Sequence, residues 1–227
     1  MEHQYERTLN TMKTKSFIAL VILAVFTVTL AAQTTPEHSL FVAADNGDTE
    51  SIETLINEGV NPNVVDQFGN NPVYYAALKN KAAAIVKLAE LGAAIDITNT
   101  SENSPLIAAA SLDNFDAVNT LLVLGANPDQ ARKDGLSAAH IAALKGNYKS
   151  LLSLIVNNAD VNKLSNSDVT PLMLAASKGH YDIVQLLLNN NAVDSANVDG
   201  ESALMWAEKL GHSKIARLIE QSTSAGL

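Results

Sequence analysis

The chain is 227 residues long, 47% hydrophobic and 5% aromatic, with 24 acidic against 15 basic residues and a formal net charge of −9. That apolar fraction excludes a disordered chain, and the acidic balance excludes the electrostatic footprint of a nucleic-acid binder and makes anionic membranes poor partners. Cysteine is absent, which removes disulfides, zinc–thiolate sites and thiol nucleophiles.

Residues 1–32 differ from the rest. Lys13 and Lys15 precede the apolar run "FIALVILAVFTVTLAA", Phe17 to Ala32, and polar "QTTPEH" comes after it. A basic flank, a short apolar stretch and small residues at its end have the form of a secretory signal peptide. An uncleaved anchor is the weaker reading, because the run is shorter than the roughly 20 residues that span a bilayer. Residues 1–11 are polar and precede the basic flank, so Met12 is an alternative start. The expectation is a bacterial protein in the periplasm or secreted.

From there a period of 33 residues runs along the chain. Ser39, Pro72, Pro105, Ala138 and Pro171 are evenly spaced by it, with Ala203 one step of 32 further on. Gly59, Gly92, Gly125, Asn158 and Asn191 keep the same period. Six units result, at about 36–65, 66–98, 99–131, 132–164, 165–196 and 197–221, with a C-terminal tail over 222–227. Each unit holds two short stretches of helical periodicity. In the fifth, Leu172, Leu174, Ala175 and Ala176 mark the first, and Ile183, Val184, Leu186, Leu187 and Leu188 the second. Thr170-Pro171 starts the first helix, through a side-chain cap and a proline suited to the first turn. Gly179 ends it, and its counterparts Gly47, Asn80, Asp113, Gly146 and Gly211 are the residue types that tolerate positive φ. Alanines at the same places of the first helices, among them Ala76, Ala109, Ala142 and Ala175, permit close stacking of neighbours.

The phrases "TPLMLAASKGHYDIVQLLLNNNA", "GLSAAHIAALKGN" and "GESALMWAEKLGHSKIARLI" resemble the ankyrin repeat, in motif as in period. The resemblance covers about Pro36 to Gln221. It implies an all-α solenoid of helix–turn–helix units joined by short β-hairpin-like loops, with end units acting as caps. Asn99 and Glu102 in the third unit, and Asp168 in the fifth, stand where the family has Asp and Gly. Distorted hairpin tips are expected there.

No catalytic residue, cofactor or metal site is expected. His180 and His212 hold one repeat position, and His140 lies where the family commonly has histidine; a repeated position argues for a structural task. Ser137 with His140 falls on a helix-cap position. "GANPDQARKDG", with Asp129, Arg132, Lys133 and Asp134, is expected to be a solvated tip. Hydrolase chemistry lacks any motif.

Binding of another protein is what the resemblance implies, through the tips and the concave first-helix face. Transferred by position, the candidates at the tips are Gln67, Phe68 and Asn70, then Thr100, Ser101 and Asn103, then Lys133, Asp134 and Leu136, then Asn166, Ser167 and Val169. At the helix ends they are Leu78–Lys79, Ser111–Leu112, Leu144–Lys145 and Ser177–Lys178. Phe68, Leu136 and Val169 are expected to put apolar surface in water. Lys79, Lys145 and Lys178 share one repeat position, with Lys209 beside it, and form a basic row suited to an acidic patch on a partner. The mature chain is expected to be a monomer that binds neither nucleic acid nor membrane. The favoured function is a periplasmic accessory, inhibitor or immunity protein; the alternative is a secreted effector that binds host proteins.

Overall fold

A computed structural model describes residues 35–225. The expected leader therefore lies outside the described residues. The chain divides into two compact units, Met1–Ser39 and Leu40–Leu227. Of the first only residues 35–39 are described, and the repeats are built almost wholly from the second.

Among the described residues there are twelve helices and no strand. They are α1 (Pro36–Asn46), α2 (Thr49–Asn57), α3 (Pro72–Leu78), α4 (Ala82–Glu90), α5 (Pro105–Ser111), α6 (Phe115–Val123), α7 (Ala138–Lys145), α8 (Tyr148–Val156), α9 (Pro171–Lys178), α10 (Tyr181–Asn189), α11 (Ala203–Lys209) and α12 (Ser213–Ala225). The first helices of successive repeats pack side by side, α3 on α5, α7, α9 and α11 in turn, and the second helices form a parallel layer from α2 to α12. α12 continues through Ala225, so helix occupies most of the segment expected to be a tail.

The periodic markers do what their chemistry predicts. Pro72, Pro105 and Pro171 open first helices, and Asn71, Ser104, Thr170 and Ser202 cap them by accepting the backbone N–H three residues on. The stacking alanines Ala76, Ala109, Ala142 and Ala175 are fully buried, and Leu88, Leu121, Leu154 and Leu187 of the second helices fill the core behind them. A residue larger than alanine in the first-helix layer would push repeats apart.

The turn between the two helices carries more than backbone permissiveness. Asn80 and Asp113 sit at φ 55°, and their side chains cap the second helix of the next repeat. Asn80 Oδ1 accepts from Ala117 N at 2.9 Å, and Asp113 Oδ1 from Ser150 N at 2.9 Å. The residue after the turn reaches the other way, to carbonyls at the end of the preceding first helix. Asn114 Nδ2 donates to Ala77 O and Leu78 O, Asn147 Nδ2 to Ala110 O, and the His180 and His212 Nε2 atoms meet Leu144 O and Ser177 O. A second ladder runs through the loops between repeats, where Asn63 Oδ1 accepts from Ala94 N and Asn162 Oδ1 from Val193 N.

The tips of repeats three and five are not distorted, contrary to expectation. Each tip closes by one pair of backbone bonds, such as Asp66 N to Asn70 O with Gly69 N to Asp66 O, and Asn99 N to Asn103 O with Glu102 N to Asn99 O. Glu102 and Asp168 adopt the glycine conformation, at φ 59° and 54°. What they lack is a backbone bond from the next tip. A Cβ on Gly135 would lie 2.4 Å from Asn166 N, and one on Gly69 3.0 Å from Thr100 N. In those two places the next tip bonds back, Thr100 N to Phe68 O at 2.8 Å and Asn166 N to Asp134 O at 3.1 Å. No such bond is made after Glu102 or Asp168 among the described residues. The tips are thus joined in pairs, two with three and four with five, and side chains are tolerated where the join is missing.

Candidate interaction surface

The tips of repeats three and four, which are not joined, leave between them a groove of about 580 Å³ lined by Thr100, Ser101, Asn103, Arg132, Lys133 and Asp134. Five of the residues expected to bind, Thr100, Ser101, Asn103, Lys133 and Asp134, come together here. Arg132 is an addition to the expected binding residues. Its position is the signal: other tips have Asp66, Asn99, Ser165 and Asn197 there, each accepting the N–H two and four residues ahead. An arginine cannot accept, and Arg132 instead clamps Asp134 through Nε to Oδ1 at 2.7 Å and Nη2 to Oδ2 at 2.6 Å. The clamp holds the Asp134 carboxyl below its ordinary range. The groove therefore offers hydroxyls, amides and one exposed lysine, with its carboxylate and guanidinium already matched.

The other tip residues separate. Phe68 is 58% exposed, as expected, and Gln67 is exposed. Leu136 and Val169 are half-buried and pack on the core, which corrects the expectation that they face water. They align with Asn70 and Asn103, two residues after the place of Phe68, where the chain turns inward. Asn70 Oδ1 accepts from Asn99 Nδ2, and Asn166 Nδ2 donates to Lys133 O; both amides join neighbouring tips. At the second tip, burial works against the Asp66 carboxylate, but donors from Tyr75, Asn70 and Phe68 outweigh it and hold its pKa low.

The helix-end row is exposed at each position: Lys79, Leu112, Lys145, Lys178 and Leu210. The two leucines are 56% and 53% exposed, so the row mixes apolar and basic side chains, with Lys145 and Lys178 adjacent in it. Lys79 Nζ lies 3.8 Å from Asp45, and the adjacent Lys209 3.3 Å from Glu201. Among the described residues Lys145 and Lys178 meet no carboxylate within 4.0 Å, which shortens the basic row to these two.

His140, His180 and His212 have bonds within the stack. His140 is fully buried; its Nδ1 lies 3.2 Å from Ser137 N and 2.9 Å from Ser137 Oγ, and its Nε2 donates to Val169 O at 3.0 Å. Burial lowers its pKa. Ser137 is equally buried, so no substrate reaches this pair. The His180 ring lies over Gly146 and its Nε2 on Leu144 O.

A family model for ankyrin repeats matches residues 40–134 and 139–225. The "Putative E3 ubiquitin-protein ligase XBAT31" of Arabidopsis thaliana is 39% identical over 69 residues, 29% of this chain and 15% of that protein. The "Ankyrin repeat-containing protein YIL001W" of Saccharomyces cerevisiae is 40% identical over 59 residues, 26% of this chain and 12% of its own length. The matches span a small part of both relatives, so the likeness lies in the repeats. Family model, period and helix pairs agree: the chain belongs to the ankyrin-repeat family.

Proposed function

We propose that the protein acts after export, in the bacterial periplasm, as an accessory or inhibitory partner of another protein, without chemistry of its own. Ankyrin repeats generally bind other proteins, and the proposal adds place and mode. The leader-like residues 1–32 support export. The partner is gripped by the groove between the tips of repeats three and four and by the neighbouring helix-end row.

The observation that carries this reading is the state of the lysines. In a chain of net charge −9, Lys79 and Lys209 of the row are matched within the fold and Lys145 and Lys178 are not. Two unmatched cations beside exposed Leu112 suit an acidic patch with an apolar neighbour.

Pull-down from a periplasmic fraction, with the bound protein identified, tests it. Lys145→Glu with Lys178→Glu is expected to weaken capture about tenfold or more and to flatten its dependence on salt. Capture that keeps its strength and its salt dependence would remove the row from the interface. Recovery of the protein from culture supernatant instead of periplasm would favour the effector reading.

A further inference from the structure

The outer face of the second-helix layer begins across the inter-helix turn from the helix-end row, with Tyr148 three residues after Lys145, and its middle is apolar. Phe115, Tyr148 and Tyr181 stand one repeat apart at the first positions of α6, α8 and α10, 39–43% exposed. Val123 and Val156, also one repeat apart, are 74% and 71% exposed, and Leu152 of α8 joins them. An apolar field of this kind marks an interface more often than scattered single residues do. It is centred on α6 and α8, the middle of six repeats. The ends of the same face are charged, and oppositely. α2 presents exposed Glu50 and Glu53; α12 presents exposed Lys214 and Arg217. At the centre, Asp116 of α6 and Lys149 of α8 are exposed at equivalent positions.

We propose that this face docks a second copy of the chain, about a two-fold axis that runs parallel to the second helices and passes between α6 and α8. Such an axis keeps facing helices parallel and sets the first repeat against the sixth of the second copy, the second against the fifth and the third against the fourth. Residues at equal places in their helices then meet. Glu50 faces Lys214 of the second copy, Glu53 faces Arg217, and Asp116 faces Lys149, while the apolar field closes on itself around the axis. Glu53 already shares Lys87 at 3.4 Å, so Glu50 is the freer acid. The other two-fold, along the stack, would lay each repeat on itself. It would set the acidic α2 antiparallel on its own copy, and the basic first half of α12 on its own copy. Like charges across an interface exclude that arrangement, so the charge pattern selects the first axis. An isologous contact of this kind closes at two copies. It replaces the expectation of a monomer and leaves the tip groove and the Lys145–Lys178 row free on both copies, so that two partner sites act together.

Sedimentation equilibrium on the protein, purified as it accumulates in its host, tests this. A reversible monomer–dimer equilibrium is expected. Val123→Asp with Val156→Asp should weaken it roughly tenfold or more and leave the circular dichroism unchanged, since both sites are exposed. Glu50→Lys with Glu53→Lys should also weaken it, and adding Lys214→Glu with Arg217→Glu should restore it. A monomer at every concentration overturns the proposal, as does a dimer indifferent to the valine pair. Four reversed charges that give no recovery overturn the axis. Capture of a different protein by the apolar face of a chain that stays monomeric also overturns it. Lys145→Glu with Lys178→Glu leaves the dimer intact, so failure here and failure of the partner interface are read separately.

Discussion

At each junction between repeats two positions answer to one another. The turn residue and the residue 34 places later, or 33 at the last junction, pair as Gly47 with Lys81, Asn80 with Asn114, Asp113 with Asn147, Gly146 with His180 and Gly179 with His212. Where the later side chain is long, the turn is glycine, because a Cβ on Gly146 would lie 2.9 Å from two atoms of the His180 ring and one on Gly179 2.8 Å from His212 Cε1. Where the later side chain is asparagine, the turn carries Asn or Asp and uses its side chain to cap the next second helix. Positive φ alone therefore does not explain the alternation of Gly with Asn and Asp. Gly146→Asn should cost about 1–3 kcal/mol by overpacking, and His180→Asn about 1 kcal/mol through its bond to Leu144 O. Together they rebuild the junction that Asn80 makes with Asn114, with the asparagine side chain introduced at the turn in place to cap the N–H of Ile183. A double-mutant cycle in urea should give a favourable coupling of about 1 kcal/mol or more. Strict additivity would show the two positions to be independent.

Most helices here have seven to nine residues, too short to persist alone, so each depends on its caps and neighbours. The starts of α3, α5, α7, α9 and α11 were legible at Pro72, Pro105, Ala138, Pro171 and Ala203, since proline and a capping residue act within one turn. The tips were legible only in part. Glu102 and Asp168 look like faults in the sequence, because the allowance for a side chain depends on whether the next tip bonds back, a contact some thirty residues away. His140 ties α7 to its own start and to the tip of the next repeat, using a neutral ring that accepts at Nδ1 and donates at Nε2. Its folded pKa lies below the ordinary value because of burial. Its contribution to stability is therefore fully present above the unfolded pKa of about 6.5 and is lost as pH falls through that value toward the lower folded pKa. Melting temperature should drop on acidification from about pH 7 to about pH 5, ahead of most carboxylate titration. His140→Gln should flatten that slope while lowering stability at pH 7. A slope unchanged by His140→Gln would assign the acid sensitivity to other groups.

The stack as a whole was the most legible feature, since a period repeated over six units leaves few alternatives. The binding surface was the least. Its groove arises from a missing contact between two tips, and its free lysines from the absence of partners that Lys79 and Lys209 happen to have. Neither is written in a spacing. The same linear construction governs stability, because each repeat touches only its neighbours and the total is a sum of repeat and junction terms. Leu121 of α6 and Ile219 of α12 are both fully buried. Truncating either to alanine removes similar apolar volume and costs about 2–5 kcal/mol locally. Leu121→Ala, in the third repeat, weakens junctions on both sides, and should shift the main urea midpoint and lower hydrogen-exchange protection throughout the stack. Ile219→Ala weakens a repeat with one neighbour, which can open while the other five stay folded. It should strip protection from α11 and α12 and shift the main midpoint much less. Equal midpoint shifts, with protection lost evenly in both variants, would mean that the six repeats unfold as one indivisible unit.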